Sequence, residues 1–203
     1  MLPIAKLAQG LVSAKFTYSG LLGDDMKPVL SSVMGLGDLR SEGIEIQGSK
    51  FQSGLVSMLK DQKYEKLQVS DFLAKFKLEN GNLIVSPFDA KMLGKTVTFQ
   101  GNQGIDQKMN YSLQMPFSRQ ELSGMAGLLG MSVSGKGEDL PVEILIKGTL
   151  TKPDLSINLE KAKAQLKNEL GQEAEKAADK LLADPNVKKG VEDLKSKFKK
   201  IVK

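Results

Sequence analysis

The nearest approach to a chemical motif is Gly130-Met131-Ser132-Val133-Ser134-Gly135-Lys136. Two glycines framing four residues, with a lysine after them, are what a phosphate-binding loop uses. Its backbone N–H groups cradle oxygens and its ammonium reaches the outer phosphate. Here Gly137 stands where a hydroxyl should hold magnesium, and the segment leads from a helical pattern into a strand pattern, the reverse of the required order. It reads as a glycine-rich linker. The adjacent carboxylates Asp24-Asp25, Glu138-Asp139 and Glu192-Asp193 fail on geometry. Acid–base pairs face one another across a substrate, whereas chain neighbours on loops and helix starts are solvated or capping groups. Asn110-Tyr111-Ser112 is a glycosylation sequon inside a strand pattern. The 203 residues include no histidine and no cysteine. That removes disulfides, thiol nucleophiles, Ser-His triads, imidazole bases and most zinc or iron sites. Asp, Glu, Lys, Arg, Ser, Thr and Tyr remain, and no grouping of them forms a catalytic centre. The expectation is a non-enzyme without cofactor or metal.

What the chain has instead is alternation. Phe72, Ala74, Phe76 and Leu78 share one parity, and Asp71, Lys75, Lys77 and Glu79 take the other. This is the period-2 mark of a strand with one wet face. Asn80-Gly81 is a hairpin signal. The return strand carries Leu83 and Val85, breaks at Pro87 and resumes with Phe88, Ala90 and Met92. After Leu93-Gly94 come Val97 and Phe99, then Met109, Tyr111, Leu113 and Met115. Residues 71–116 thus read as a four-stranded antiparallel meander, greasy on one face. Further strands are expected at 15–22, with Phe16 and Tyr18 on one side, at 39–47, and at 141–150, where Val142, Ile144 and Ile146 share a parity. Short helices are expected at 25–34, at 49–60 and at 118–130, the last opened by the capping box Ser118-Arg119-Gln120-Glu121. Leu30–Leu36 and Leu122–Leu128 look alike, each before a strand, as a faint internal repeat would.

Charge separates a body from a tail. Residues 1–159 carry 17 basic and 16 acidic groups, and residues 160–203 carry 12 lysines and 8 acids. The body is nearly neutral and has no nucleic-acid footprint. The longest uncharged stretch, Leu122–Gly135, is 14 residues, short of the ~20 a membrane span needs. The opening residues, with neither a basic region nor a long apolar run, do not read as a secretion signal. Leu159–Leu182 predicts a long helix with a thin apolar stripe, broken at Asp184-Pro185. The lysine-rich segment beyond has three readings: a solvated tail, a helix docking on the body or a partner, or a helix on an anionic membrane surface. In the last, Leu194, Phe198 and Ile201 insert while Lys195, Lys197, Lys199 and Lys200 meet headgroups. The organisation expected is a β-rich domain over 1–158 and a helical tail over 159–203.

Several glycine-marked motifs occur in a fixed order. They are Gly35-Leu36-Gly37-Asp38-Leu39 leading to Ile44-Glu45-Ile46-Gln47-Gly48-Ser49, then Phe76-Lys77-Leu78-Glu79-Asn80-Gly81-Asn82-Leu83, then Leu140-Pro141-Val142 with Ile146-Lys147-Gly148-Thr149-Leu150-Thr151-Lys152-Pro153. Over roughly residues 15–160 this resembles the AsmA-like C-terminal region, in versions from Bacteroidetes-type bacteria. The resemblance implies a Gram-negative envelope protein, similar to the repeating β-groove proteins thought to carry phospholipids between membranes. It implies a periplasmic location, a role in outer-membrane biogenesis, and an inner-membrane anchor elsewhere in a longer protein. It offers no catalytic residues.

The expected fold is therefore mainly β, an α+β chain whose curved antiparallel sheet forms a groove under short covering helices, with a C-terminal helical tail. The expected ligand is phospholipid or another lipid, solvated along the apolar face by Phe72, Phe76, Leu78, Leu83, Val85, Phe88, Met92, Val97, Phe99, Met109, Tyr111, Leu113, Val142, Ile144 and Ile146. The alternative is a scaffold in which the same residues form a closed core and the tail docks a partner.

Overall fold

The computed structural model describes residues 8–124, 133 and 137–183. The chain divides into two compact units, residues 1–161 and 162–203. Among its described residues the first holds nine strands in one antiparallel sheet: β1 Ala8–Ser19, β2 Met34–Gln47, β3 Lys66–Val69, β4 Phe72–Glu79, β5 Asn82–Met92, β6 Lys95–Gly104, β7 Lys108–Phe117, β8 Leu140–Thr149 and β9 Lys152–Asn158. Strand β2 pairs with β3 through Ile44–Gln47 and with β4 through Gly35–Ser41. These two are halves of one broken strand, and both face β5 on the other side. Helix α1, Lys50–Leu59, joins β2 to β3; helix α2, Arg119–Gly124, follows β7; helix α3, Glu160–Ala183, follows β9. The fold is α+β, with an antiparallel sheet and short helices.

Local chemistry accounts for most of this. Asn80 and Gly81 both take positive φ, 52° and 71°, as a tight hairpin requires. At Pro87, β5 slips register between Val85 and Phe88 without leaving the sheet. The slip puts Leu83, Val85, Phe88, Ala90 and Met92 on one face despite the change of parity. The capping box forms at α2, where Glu121 N donates to Ser118 Oγ and Ser118 N to Glu121 Oε2. Ser49 and Gln52 make a second one at α1.

Two expectations are corrected, and two strands had no counterpart in the sequence reading. Residues 25–34 are not a helix: Met26 has φ 59°, Leu22 bridges Pro28, only Leu30–Ser32 makes a 3-10 turn, and β2 has begun by Met34. The strand expected at 15–22 is β1, Ala8–Ser19, and the one expected at 39–47 already begins at Met34, because the two pair along almost their whole length. Strands β3 and β9, four and seven residues long, carry too few apolar residues for periodicity to mark them.

The sheet is rolled. Six strand steps separate β2 from β9, about 29 Å if flat. Yet α1, which leaves the end of β2 and is about 15 Å long, packs on β9, where a Cβ on Gly54 would lie 2.5 Å from Leu155 Cδ1. Gln52 fastens this corner. Its Nε2 donates to Ile46 O and Glu65 O, both at 2.6 Å, and its Oε1 accepts from Ser49 N. The side chain is buried, so Gln52→Ala strands two carbonyls and should cost about 2–3 kcal/mol in denaturant unfolding.

Candidate functional site

Register puts one side chain of every rung on the same face. Phe16 is opposite Gly37, Gly37 opposite Phe76, and Phe76 opposite Val85. Phe88 is opposite Phe99, Phe99 opposite Leu113, and Leu113 opposite Ile144. All fifteen residues expected to line an apolar face fall on it. The rings form two runs. In one, Tyr18 stacks on Phe16 at 5.3 Å and Phe16 meets Phe76 at 5.6 Å. In the other, Phe72, Phe88, Phe99 and Tyr111 follow at 5.0, 5.7 and 5.1 Å. Burial pushes the Tyr111 phenol up, so the run stays uncharged at neutral pH.

Burial divides the fifteen. Met92, Val97, Met109, Leu113, Val142, Ile144 and Ile146 are buried. Phe72, Phe76, Leu78, Leu83, Val85, Phe88, Phe99 and Tyr111 are half-buried. Leu55 and Leu59 of α1 and Leu122 of α2 are buried too. These helices leave from the sheet end formed by Gln47 and Phe117, while Leu78, Leu83 and Met109 lie towards the opposite end. Phe16 and Tyr18 extend the face onto the edge strand β1, exposed. Their alternation is visible in the sequence, but nothing in a single strand says that its rings meet Phe76 two strands away.

Glycines on this face are seats for rings. A Cβ on Gly37 would come 2.5 Å from Phe76 Cζ, and one on Gly35 2.8 Å from Phe16 Cε2. Gly101 lies as close beneath the Tyr111 ring. The Gly35-Leu36-Gly37 motif therefore sits inside a strand, as space for aromatic side chains. Gly37→Val should displace Phe76 and lower stability by about 1–3 kcal/mol, seen as a fall in Tm with loss of near-UV aromatic signal.

The charged groups form a clamp. Glu121 accepts from Lys63 and Lys95, each at 2.7 Å, and Lys63 also pairs with Asp61 at 2.9 Å. Lys95 Nζ donates to Pro116 O at 2.9 Å. Partial burial alone would raise the Glu121 carboxyl, but the donors from Lys63, Lys95 and Ser118 outweigh it and bring it down to about 2. Every member is occupied in tying α2 to the turn after α1 and to β6, so none is poised for proton transfer. On the polar face a depression of about 690 Å³ lies beside the β3–β4 break, where Glu45 and Lys66 pair at 3.0 Å. Among the described residues no three Asp or Glu converge as metal ligands, and no helix is long and apolar enough to cross a membrane. Met125, Leu128, most of the 130–137 glycine segment, much of the second repeat copy, the 184–185 break and the tail from Leu194 to Ile201 lie outside the described residues.

Comparison with family models, with characterised proteins and with solved structures gives no match.

Proposed function

We propose that the β-rich unit binds phospholipid, or another lipid with acyl chains, along the half-exposed part of its apolar face, as a non-enzymatic module of an AsmA-like protein of the Gram-negative periplasm that serves outer-membrane biogenesis. One observation carries this reading: the contacting rings from Phe72 to Tyr111 remain half-exposed on a rolled sheet. Acyl chains suit such a surface because each CH₂ withdrawn from water contributes about 0.8 kcal/mol and no directional bond fixes its position. The headgroup stays in water. The order of glycine-marked motifs supports the placement among envelope proteins. The lysine-rich segment from Leu194 to Ile201 is proposed as a separate contact with anionic lipid. A closed-core scaffold is the second reading, favoured by the complete burial of Val142 and Ile144.

Lipid mass spectrometry of the gently purified, then denatured chain separates the two. Phospholipid near one per chain, absent from a soluble control handled alike, is expected. A folded, monomeric sample free of lipid overturns the proposal in favour of the scaffold.

A further inference from the structure

The β1–β2 connection, residues 20–33, is the most apolar exposed feature among the described residues. Leu21 is 68% exposed, Leu22 58%, Met26 74% and Leu30 58%, with Val29 also exposed. Leu21 and Leu22 are chain neighbours, as are Val29 and Leu30, so apolar side chains leave the loop in more than one direction. A groove on a protein partner would cover one side of such a tip; a lipid phase surrounds it.

The backbone is prepared for that environment. Gly23 N donates to Lys27 O, Met26 N to Gly23 O and Val29 N to Leu21 O, each at 2.9 Å. Leu21 N donates to Ser32 Oγ, whose hydroxyl donates to Val29 O. Lys27 N is held by Asp25 Oδ1, Leu22 bridges Pro28, and Pro28 has no N–H to satisfy. Unpaired backbone groups are what bars most loops from a bilayer, and here the loop bonds a large share of its own within itself. Its one lysine is paired with Asp25 at 2.8 Å. Asp24 is the remaining charge.

Position adds to this. Tyr18 is opposite Gly35, Gly35 opposite Leu78, and Leu78 opposite Leu83, so the loop leaves the sheet at the end away from α1 and α2. Ile105, exposed in the β6–β7 turn, is at the same end.

We infer that residues 20–33 form a rigid apolar tip that enters the interfacial layer of a lipid bilayer. Insertion, not charge, drives the contact, because Asp24, Asp25 and Lys27 leave the loop with one net negative charge. Binding should therefore occur on zwitterionic vesicles and be little affected by salt. The inference stands on the loop's own features, and is read separately from lipid retained by the sheet.

The test is flotation of the full chain with phosphatidylcholine vesicles, on which a basic tail has no counter-charge. The variant Leu22→Asp/Met26→Asp, altered only at exposed positions, should keep its circular dichroism and lose at least about tenfold in partitioning. In a Met26→Trp variant, the only tryptophan in the chain should shift to the blue on vesicles and be quenched by brominated acyl chains. Partitioning unchanged in the Asp variant, or a wild type that does not float, overturns the inference. A tip variant that no longer floats yet co-purifies with lipid supports it, whereas a floating chain without co-purified lipid leaves the tip standing and removes the proposed function.

Discussion

Phe76→Asp with Phe99→Asp is expected to empty the chain of co-purifying phospholipid while leaving it folded. Both side chains are half-buried and belong to the exposed ring runs, Phe76 against Phe16 and Phe99 between Phe88 and Tyr111. Withdrawing a phenyl ring from water contributes about 1.5–3 kcal/mol. Losing part of that twice, and adding carboxylates that an acyl chain would have to desolvate, should weaken retention by at least about a hundredfold. Leu113 is the instructive contrast. It lies directly opposite Phe99 but is 4% exposed, so Leu113→Asp buries a charge in the covered part and should unfold the domain. The measurement is lipid per folded chain, by extraction and mass spectrometry beside far-UV circular dichroism. Lipid retained at wild-type stoichiometry by a folded double Asp variant ends the proposal that this face is the binding surface.

The apolar face was legible because period 2 survives in most strands that cross it, β5 changing parity at Pro87. Parity alone assembles Phe72 to Leu78, Val97 to Phe99, Met109 to Met115 and Val142 to Ile146, and the sheet register agrees. What parity cannot supply is coverage. Met109 and Tyr111 are equivalent in pattern, yet one is buried and the other half-exposed, a difference set by tertiary packing that no single strand encodes. The 25–34 segment misleads for a related reason. Its apolar residues Met26, Val29, Leu30 and Val33 look like a helical face, but Pro28 and the positive φ of Met26 close a turn, and Met26, Val29 and Leu30 remain outside. Gly35 and Gly37 fall ahead of the strand expected at 39–47, and the rings that need their space lie on other strands, at Phe16 and Phe76.

The Glu121 clamp should make stability depend on acid in a way that one substitution removes. Glu121 and Lys95 are each 24% exposed at the side chain, so the pair is screened only in part. The folded carboxyl is depressed from 4.5 to about 2. A depressed carboxyl binds protons less readily when folded than when unfolded, so its contribution is complete above pH ~4.5 and is lost as pH falls through about 2. At 1.36 kcal/mol per unit, discounted for solvent, the contribution is about 2 kcal/mol. Glu121→Gln should therefore unfold about 4–8 °C below the wild type at pH 7, and the gap should close as pH approaches 2. Lys63 responds from the other side: burial pulls its ammonium down, but Glu121 and Asp61 prevail and raise it, so it stays charged across this range and the change belongs to the carboxyl. A gap that persists unchanged at low pH would mean that Glu121 acts through its Ser118 capping bonds and packing instead. Because α2 stands at the covered end of the apolar face, loosening it also bears on function: at pH 7 the variant should exchange the amides around Leu122 faster while the rings from Phe72 to Tyr111 keep their place.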